Sequence, residues 1–134
     1  MSIVSIRAAL EQRLAAMSPA LATAYENAPF TPVNGTPFQR VWLLPATPDN
    51  QEFGPNYQEI GIMQIDLNYP LTVGPSAAAA RAQLIRTQFS RGTSVTSGGV
   101  TTTMDRTPEI GPGFPDKDRY VLPVRIRFFS NINS

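Results

Sequence analysis

The stretch YVLPVRIRFF (residues 120–129) has the clearest strand pattern in the chain, because its apolar and charged side chains alternate with the period of a β-strand. The residues expected to face the core are Leu122, Val124, Ile126 and Phe128, and those expected to face solvent are Arg125 and Arg127. Such a difference between the two faces is typical of an antiparallel sheet that is covered on one side. We therefore expect this segment to be a strand of such a sheet.

Three further segments show strand patterns. The segment from Ile60 to Tyr69 alternates like the first, and its expected buried residues are Met63, Ile65, Leu67 and Tyr69, opposite Gln64, Asp66 and Asn68. The segment from Phe38 to Leu44 is apolar on much of both faces, which favours a strand that is central in the sheet or covered at one end. Residues 93–95 and 100–104 flank Gly98-Gly99, which predicts a hairpin.

Two segments have the three-to-four-residue spacing of an amphipathic helix. The apolar stripe of the first consists of Ile3, Ile6, Leu10, Leu14, Met17 and Leu21. Ser18-Pro19 is expected to interrupt this helix, and a second short turn is expected from Pro19 to Tyr25. The other helix is predicted from about Ser76 to Ser90, with a stripe of Ala78, Ala82, Ile85 and Phe89, Leu84 beside it and Gly92 as its left-handed cap.

This order of elements predicts an α+β fold. We expect one largely antiparallel or mixed β-sheet of about four to five strands, with two main helices packed on one face. The 134 residues are expected to form a single domain, with long loops at about 45–58 and 106–118. The stretch AYENAPFTPVNGTPFQR (residues 24–40) predicts a rigid corner in which Tyr25 and Phe30 anchor the helix end to the sheet.

Composition excludes many kinds of chemistry. The chain has no cysteine and no histidine, which removes disulfides, thiolate metal sites and every catalytic triad that needs an imidazole. We expect no cofactor and no metal. The apolar runs are too short to cross a bilayer, and the first residues lack the pattern of a signal peptide, so we expect a protein that is cytosolic when made and has no membrane partner.

The charges are unevenly distributed. The formal net charge is +1, which gives no global field for nucleic acid, and direct nucleic-acid recognition is not expected. Asp49, Glu52, Glu59 and Asp66 occupy a segment without lysine or arginine, whereas the later segments are rich in arginine. Because arginine pairs with carboxylates and is favoured at protein interfaces, one interpretation is that the chain docks on a copy of itself. An ordinary solvated surface is an equally good interpretation.

A set of short motifs, in order along the chain, resembles a family of bacteriophage tail-terminator-like proteins. These motifs are Tyr25-Glu26-Asn27 with Phe30 and Pro32, the strand of residues 40–45, residues 61–66 leading to Tyr69-Pro70, and Gly74 before an alanine-rich helix ending near Phe89. The resemblance spans most of the chain.

The resemblance implies a structural protein that forms a ring. The ring is expected to be a hexamer on the tail, and a monomer is compatible with the resemblance when the protein is isolated. Such a ring caps the tail tube, ends its polymerisation and presents the surface for head docking. The implied partners are other copies of the chain, the major tail tube protein and a head-tail connector protein, in the virion tail and, during assembly, the host cytoplasm. A head-tail connector or tail-completion protein of similar fold, phage or prophage, is the alternative, followed by a carboxylate-dependent enzyme.

The candidate interaction residues come from the charged segments of the chain and from the motif Tyr25-Glu26-Asn27. They are Glu26, Asn27, Asp49, Glu52, Glu59, Asp66, Arg81, Arg86, Arg125 and Arg127. We expect the acidic segment 49–66 of one copy to approach an arginine-bearing face of the next.

Overall fold

The computed structural model describes residues 2–17, 21–26, 28–32, 35–47, 50, 57–71 and 75–132. The two helices are α1 (Ser2–Ala15) and α2 (Pro75–Gln88). The strands are β1 (Ala22–Ala24), β2 (Phe38–Pro45), β3 (Tyr57–Pro70), β4 (Ser94–Ser97), β5 (Val100–Met104), β6 (Glu109–Ile110), β7 (Phe114–Asp116) and β8 (Arg119–Ile132). The α+β class is confirmed, but the sheet has eight strands in the described residues rather than four to five.

Two long strands form the centre of the sheet. β3 and β8 each have 14 residues and pair antiparallel over their whole length, from Tyr57 opposite Ile132 to Pro70 opposite Arg119. β2 pairs antiparallel with the other edge of β3. The path through the sheet is β1-β2-β3-β8-β5-β4. The strand patterns that predicted β2, β3 and β8 are therefore confirmed.

The free edge of β8 is shared by three short strands. β5, β6 and β7 pair with it in turn, at residues 128–129, 124–125 and 119–121. Pro123 lies between the partners of β6 and β7, and its carbonyl accepts a hydrogen bond from the N–H of Gly111 at 2.9 Å. A proline has no N–H to donate, so it suits a place where the ladder is interrupted. The loop predicted at 106–118 thus contains two strands, because short segments pair with an edge already present.

A short parallel strand replaces a predicted turn. Residues between Pro19 and Tyr25 were expected to form a turn, but β1 pairs parallel with the start of β2, with Ala22 opposite Phe38. The sheet is therefore mixed. Three residues carry too little pattern to identify a strand, and this one exists because β2 offers it an edge.

The core lies between the helices and one face of the sheet, which we call the inner face. The predicted stripe of α2 is confirmed, since Ala78, Ala82, Ile85 and Phe89 are fully buried, whereas Leu84 is 43% exposed. The inner face carries the residues predicted for it on β3 and β8. Packing of these side chains against both helices supplies the main stabilisation, at roughly 25 cal/mol for each Å² of apolar surface removed from water.

Gly61 makes room for an aromatic ring in this core. It pairs with Phe128, and a Cβ added at Gly61 would lie 2.7 Å from Cζ of that ring. The buried phenyl group therefore covers the backbone of the neighbouring strand. Any larger residue at position 61 would displace a ring that is 1% exposed.

The hairpin between β4 and β5 is confirmed. Gly98 and Gly99 both have positive φ, at 57° and 78°, as a two-residue turn of this kind requires. Gly92 also has a positive φ of 87°, but α2 ends at Gln88, so Gly92 is not its cap. Its N–H donates to the carbonyl of Met104 and leads the chain into the hairpin.

Candidate interaction surface

The face of the sheet that turns away from the helices, here called the outer face, brings together three of the ten predicted interaction residues. Strand register sets three rows across β2, β3 and β8. These rows are Leu44, Ile62 and Arg127; Trp42, Gln64 and Arg125; and Arg40, Asp66 and Pro123. Side chains in one row lie next to each other because strands in a sheet are about 5 Å apart.

A polar network occupies the middle of the outer face. Gln64 accepts a hydrogen bond from Nε of Arg125 at 3.3 Å and donates to Asp66 at 3.0 Å. Nη1 of Arg125 lies 3.9 Å from a carboxylate oxygen of Glu109 on β6. Burial raises the pKa of Asp66, while the hydrogen bond from Gln64 and the charges of Arg125 and Arg40 oppose that rise. Asp66 and Arg125 are therefore partly satisfied within one chain.

The proline-rich corner covers one end of the outer face. The ring of Phe30 lies 5.2 Å from that of Phe38, between centroids. The guanidinium groups of Arg40 and Arg119 lie 5.3 and 4.8 Å from the centroid of Phe38. Arg119 also donates to the carbonyl of Thr36 at 2.6 Å. Phe30 therefore packs against the sheet at Phe38, as predicted, whereas anchoring of the helix end by Tyr25, which is half-buried, stays a prediction.

The other end of the outer face is an open depression with a volume of about 590 Å³. Its floor includes Ile60 and Ile62, and its charged wall consists of Asp105, Arg106, Glu109, Arg125 and Arg127. We call this feature the basic depression. Arg106 and Arg127 are exposed, so their guanidinium groups are available to a partner.

Glu26 is used inside the fold. Its Oε1 accepts hydrogen bonds from the backbone N–H of Leu43 at 2.5 Å and from Nη1 of Arg7 at 3.1 Å. β1 ends at Ala24, so the carboxylate takes the place of a strand partner for β2. These contacts, the bond from Leu43 above all, lower the pKa of Glu26 below its usual range.

The remaining predicted residues are dispersed. Arg81 is buried at 4% exposure, and burial lowers its pKa. Arg86 donates twice to the carbonyl of Pro108, and Glu59 is half-buried on β3. Asn27, Asp49 and Glu52 lie outside the described residues. Of the ten candidates, the structure thus gathers Asp66, Arg125 and Arg127 on one face.

Two groups of exposed charges were not among the candidate interaction residues. Arg91 and Arg106 border the basic depression, with Nε of Arg91 donating to the carbonyl of Asp105 at 3.2 Å. Asp116 and Asp118 are exposed at the turn between β7 and β8. The charges in residues 105–119 could have pointed to an interaction surface, but the glycines and prolines there predicted a loop whose position relative to the sheet the sequence does not give.

Two carboxyl groups with raised pKa do not form a catalytic pair. Burial is the main cause of the raised pKa of both Glu11 and Asp66. Glu11 is on α1, which packs on the inner face, whereas Asp66 points to the outer face. A paired-carboxylate mechanism needs both groups at one cleft. The described residues also contain no group of three potential acidic metal ligands.

Comparison with protein families identifies the class of the chain. A family model described as phage tail terminator protein matches residues 5–128. The chain therefore belongs to the phage tail terminator protein family, and its role is structural, in assembly of the phage tail and virion. The family resemblance seen in the sequence is confirmed. None of the curated proteins matches the sequence.

Two solved structures share the fold along the full chain. One, described only by a protein identifier, has 25% sequence identity and a TM-score of 0.82, with 100% of this chain and 99% of that chain covered. The second is a chain of the virion of a native gene transfer agent particle, with 16% identity and a TM-score of 0.70. There the match covers 98% of each chain. No helix in the described ranges is long and apolar enough to span a membrane.

Proposed function

We infer that the protein forms a ring on the end of the tail tube, ends tube polymerisation and provides the surface on which the head docks. The observation that carries this proposal is the family match over residues 5–128. The likeness to a chain of a gene transfer agent virion agrees with a place in a particle of this kind. The partners are other copies of the chain, five in a ring of six, together with the tube protein and a head-tail connector.

The outer face supports this proposal through its chemistry. It combines apolar side chains such as Ile62 and Leu44 with exposed arginines such as Arg127, and this mixture is typical of protein interfaces. A ring requires each copy to present two different, complementary surfaces to its neighbours. Contact between the acidic segment 49–66 and an arginine-bearing face remains a prediction of this proposal.

Electron microscopy of particles made without the protein tests the function. Deletion of its gene in the phage or prophage that encodes it should give tails longer than normal and heads without tails. A copy of the intact gene should restore normal length, and an inactive gene carrying an early stop codon serves as the control. Tails of normal length that do not join heads would instead identify a connector or tail-completion protein.

A further inference from the structure

Positive charge is concentrated at the basic depression and the pocket next to it. The residues that line them include four arginines and two acids, which give a local charge of +2; they are Arg91, Arg106, Arg125, Arg127, Asp105 and Glu109. The other seven basic and eight acidic residues of the chain leave a charge of −1. The net charge of +1 therefore includes a local excess of arginine at this surface.

The basic depression favours a protein partner that carries carboxylates and an apolar side chain. Ile60 and Ile62 form an apolar floor, and Leu44, in the same row as Ile62, is 48% exposed. Arginine makes planar paired contacts with carboxylates. A phosphate backbone carries negative charge but no apolar side chain that could cover Ile60 and Ile62. A nucleic acid is thus the poorer fit.

The turn between β7 and β8 has the complementary composition. Phe114 is 48% exposed, and Asp116 and Asp118 are exposed on either side of Lys117, which has a positive φ of 57°. Leu71 is 44% exposed, and its N–H lies 3.3 Å from the carbonyl of Asp118. We call Leu71, Phe114, Asp116 and Asp118 the acidic tip. With exposed Lys117 between its two carboxylates, this turn has a local charge of −1 and presents two apolar side chains beside it.

The two surfaces lie at different positions along one strand. The acidic tip adjoins Arg119 at the start of β8, and the basic depression includes Arg127, eight residues later. At about 3.3 Å per residue, this separation is about 26 Å along the strand. One copy therefore cannot bring its own tip into its own depression, whereas a second copy can. Contacts of this head-to-tail kind generate rings when the rotation between copies closes.

We propose that the acidic tip of each copy binds the basic depression of the next copy. Asp116 and Asp118 pair with Arg106 and Arg127, and Phe114 covers the apolar floor at Ile60 and Ile62. The proposal rests on the proposed function only for its setting, a ring on the tail tube. The contact itself follows from the charge, exposure and separation of the two surfaces.

A charge-exchange cycle tests the contact. One variant carries Asp116→Arg and Asp118→Arg, a second carries Arg106→Glu and Arg127→Glu, and a third combines all four changes. Each of the first two should reduce the amount of protein in purified tails by about tenfold, the effect of about 1.4 kcal/mol of lost contact energy. The third should recover most of the loss, because each copy then carries both exchanged surfaces.

A matched control adds charge elsewhere. Gln83→Arg with Thr87→Arg changes two exposed residues of α2 and should leave incorporation unchanged. Circular dichroism and urea unfolding of every variant show whether the fold is kept. Self-association of the purified chains, measured by sedimentation velocity at high concentration, gives a second readout that does not require a tail.

The outcomes separate this contact from the proposed function. Losses in both two-change variants without recovery in the four-change variant would overturn the contact, as would normal incorporation of either variant. Loss of DNA binding by the Arg106→Glu, Arg127→Glu variant with unchanged self-association would also overturn it and favour a nucleic acid. Recovery by charge exchange in a protein whose deletion leaves tail length normal would keep the contact and reject the ring-capping function.

Discussion

At the scale of single residues, Glu26 shows how one side chain can finish a sheet edge. Its carboxylate accepts the N–H of Leu43, which β1 is too short to reach, and it also contacts Arg7 on α1. Arg7 lies 3.6 Å from Glu11 as well, so one guanidinium group faces two carboxylates. The pKa of Glu26 is lowered from its ordinary value, whereas the pKa of Glu11 is raised.

The first prediction concerns the pH dependence of this pair. A lowered pKa in the fold means that ionised Glu26 stabilises the protein above the unfolded pKa of about 4.3, and that this stabilisation is lost as pH falls through the folded pKa. Glu26→Gln should therefore lower the free energy of unfolding at pH 7, and the difference from the unchanged protein should shrink under acid conditions. Urea unfolding between pH 7 and pH 3 measures this difference.

Glu11→Gln is the matched control for that experiment, because Glu11 contacts the same arginine. Burial raises the pKa of Glu11, so its ionisation costs stability at pH 7 and the substitution should be neutral or stabilising there. The effect should vanish as pH falls below the unfolded pKa. If the free energy of unfolding changed with pH in the same way for both variants, the contacts with Leu43 and Arg7 would not give the two carboxylates different effects on stability.

At the scale of elements, the β4–β5 hairpin is fixed both by its turn and by helix α1. Gly98 and Gly99 have positive φ, and a Cβ added at Gly98 would lie 2.6 Å from Oγ of Ser5. A Cβ added at Gly99 would meet nothing within 4 Å. The two adjacent glycines thus share one backbone requirement, but only the first also makes a close approach to α1.

The second prediction separates these two effects. Gly99→Ala should lower the free energy of unfolding by roughly 1–2 kcal/mol, the cost of a left-handed conformation with a side chain. Gly98→Ala should cost slightly more, because the Ser5 hydroxyl must rotate away from the added methyl group, and Ser5→Ala in the same chain should recover this small extra loss. Urea unfolding of these three variants, of Ser5→Ala alone and of the unchanged protein completes the cycle. Equal losses for both glycines, unaffected by Ser5, would contradict the close approach.

The elements that sequence could predict are those with their own pattern. β3 and β8 each place four apolar residues on one face, and α2 repeats its small and apolar residues every three or four positions. The strands that escaped prediction, β1, β6 and β7, have two or three residues. Their sequences are compatible with loops, and pairing with an existing edge of β2 or β8 determines their structure.

At the scale of the whole molecule, the sequence shows where charged residues occur along the chain, but it does not show which of them lie on the same surface of the fold. Arg81 belongs to a basic segment, yet its position on α2 places it in the interior of the protein. Arg125 and Arg127 were predicted to face solvent, and both reach the outer face beside Arg106. These arginines lie close together because β6 pairs with β8. Neither segment has a sequence pattern that predicts this pairing.

The final prediction follows from the separation of charge between the basic depression and the rest of the chain. Exposed charges attract less strongly in salt, because the Debye length falls from about 30 Å at 0.01 M to about 3 Å at 1 M ionic strength. Self-association of the purified protein should therefore weaken as sodium chloride is raised, while its unfolding by urea changes little, since the core between helices and sheet is apolar. Sedimentation velocity across a salt series measures the first quantity and urea unfolding the second. Replacement of Phe114 by Ala should weaken association at every salt concentration without changing the salt dependence, because this exposed ring contributes apolar contact rather than charge. Association that strengthens with salt would contradict the electrostatic origin of the contact and assign the surface to apolar packing alone.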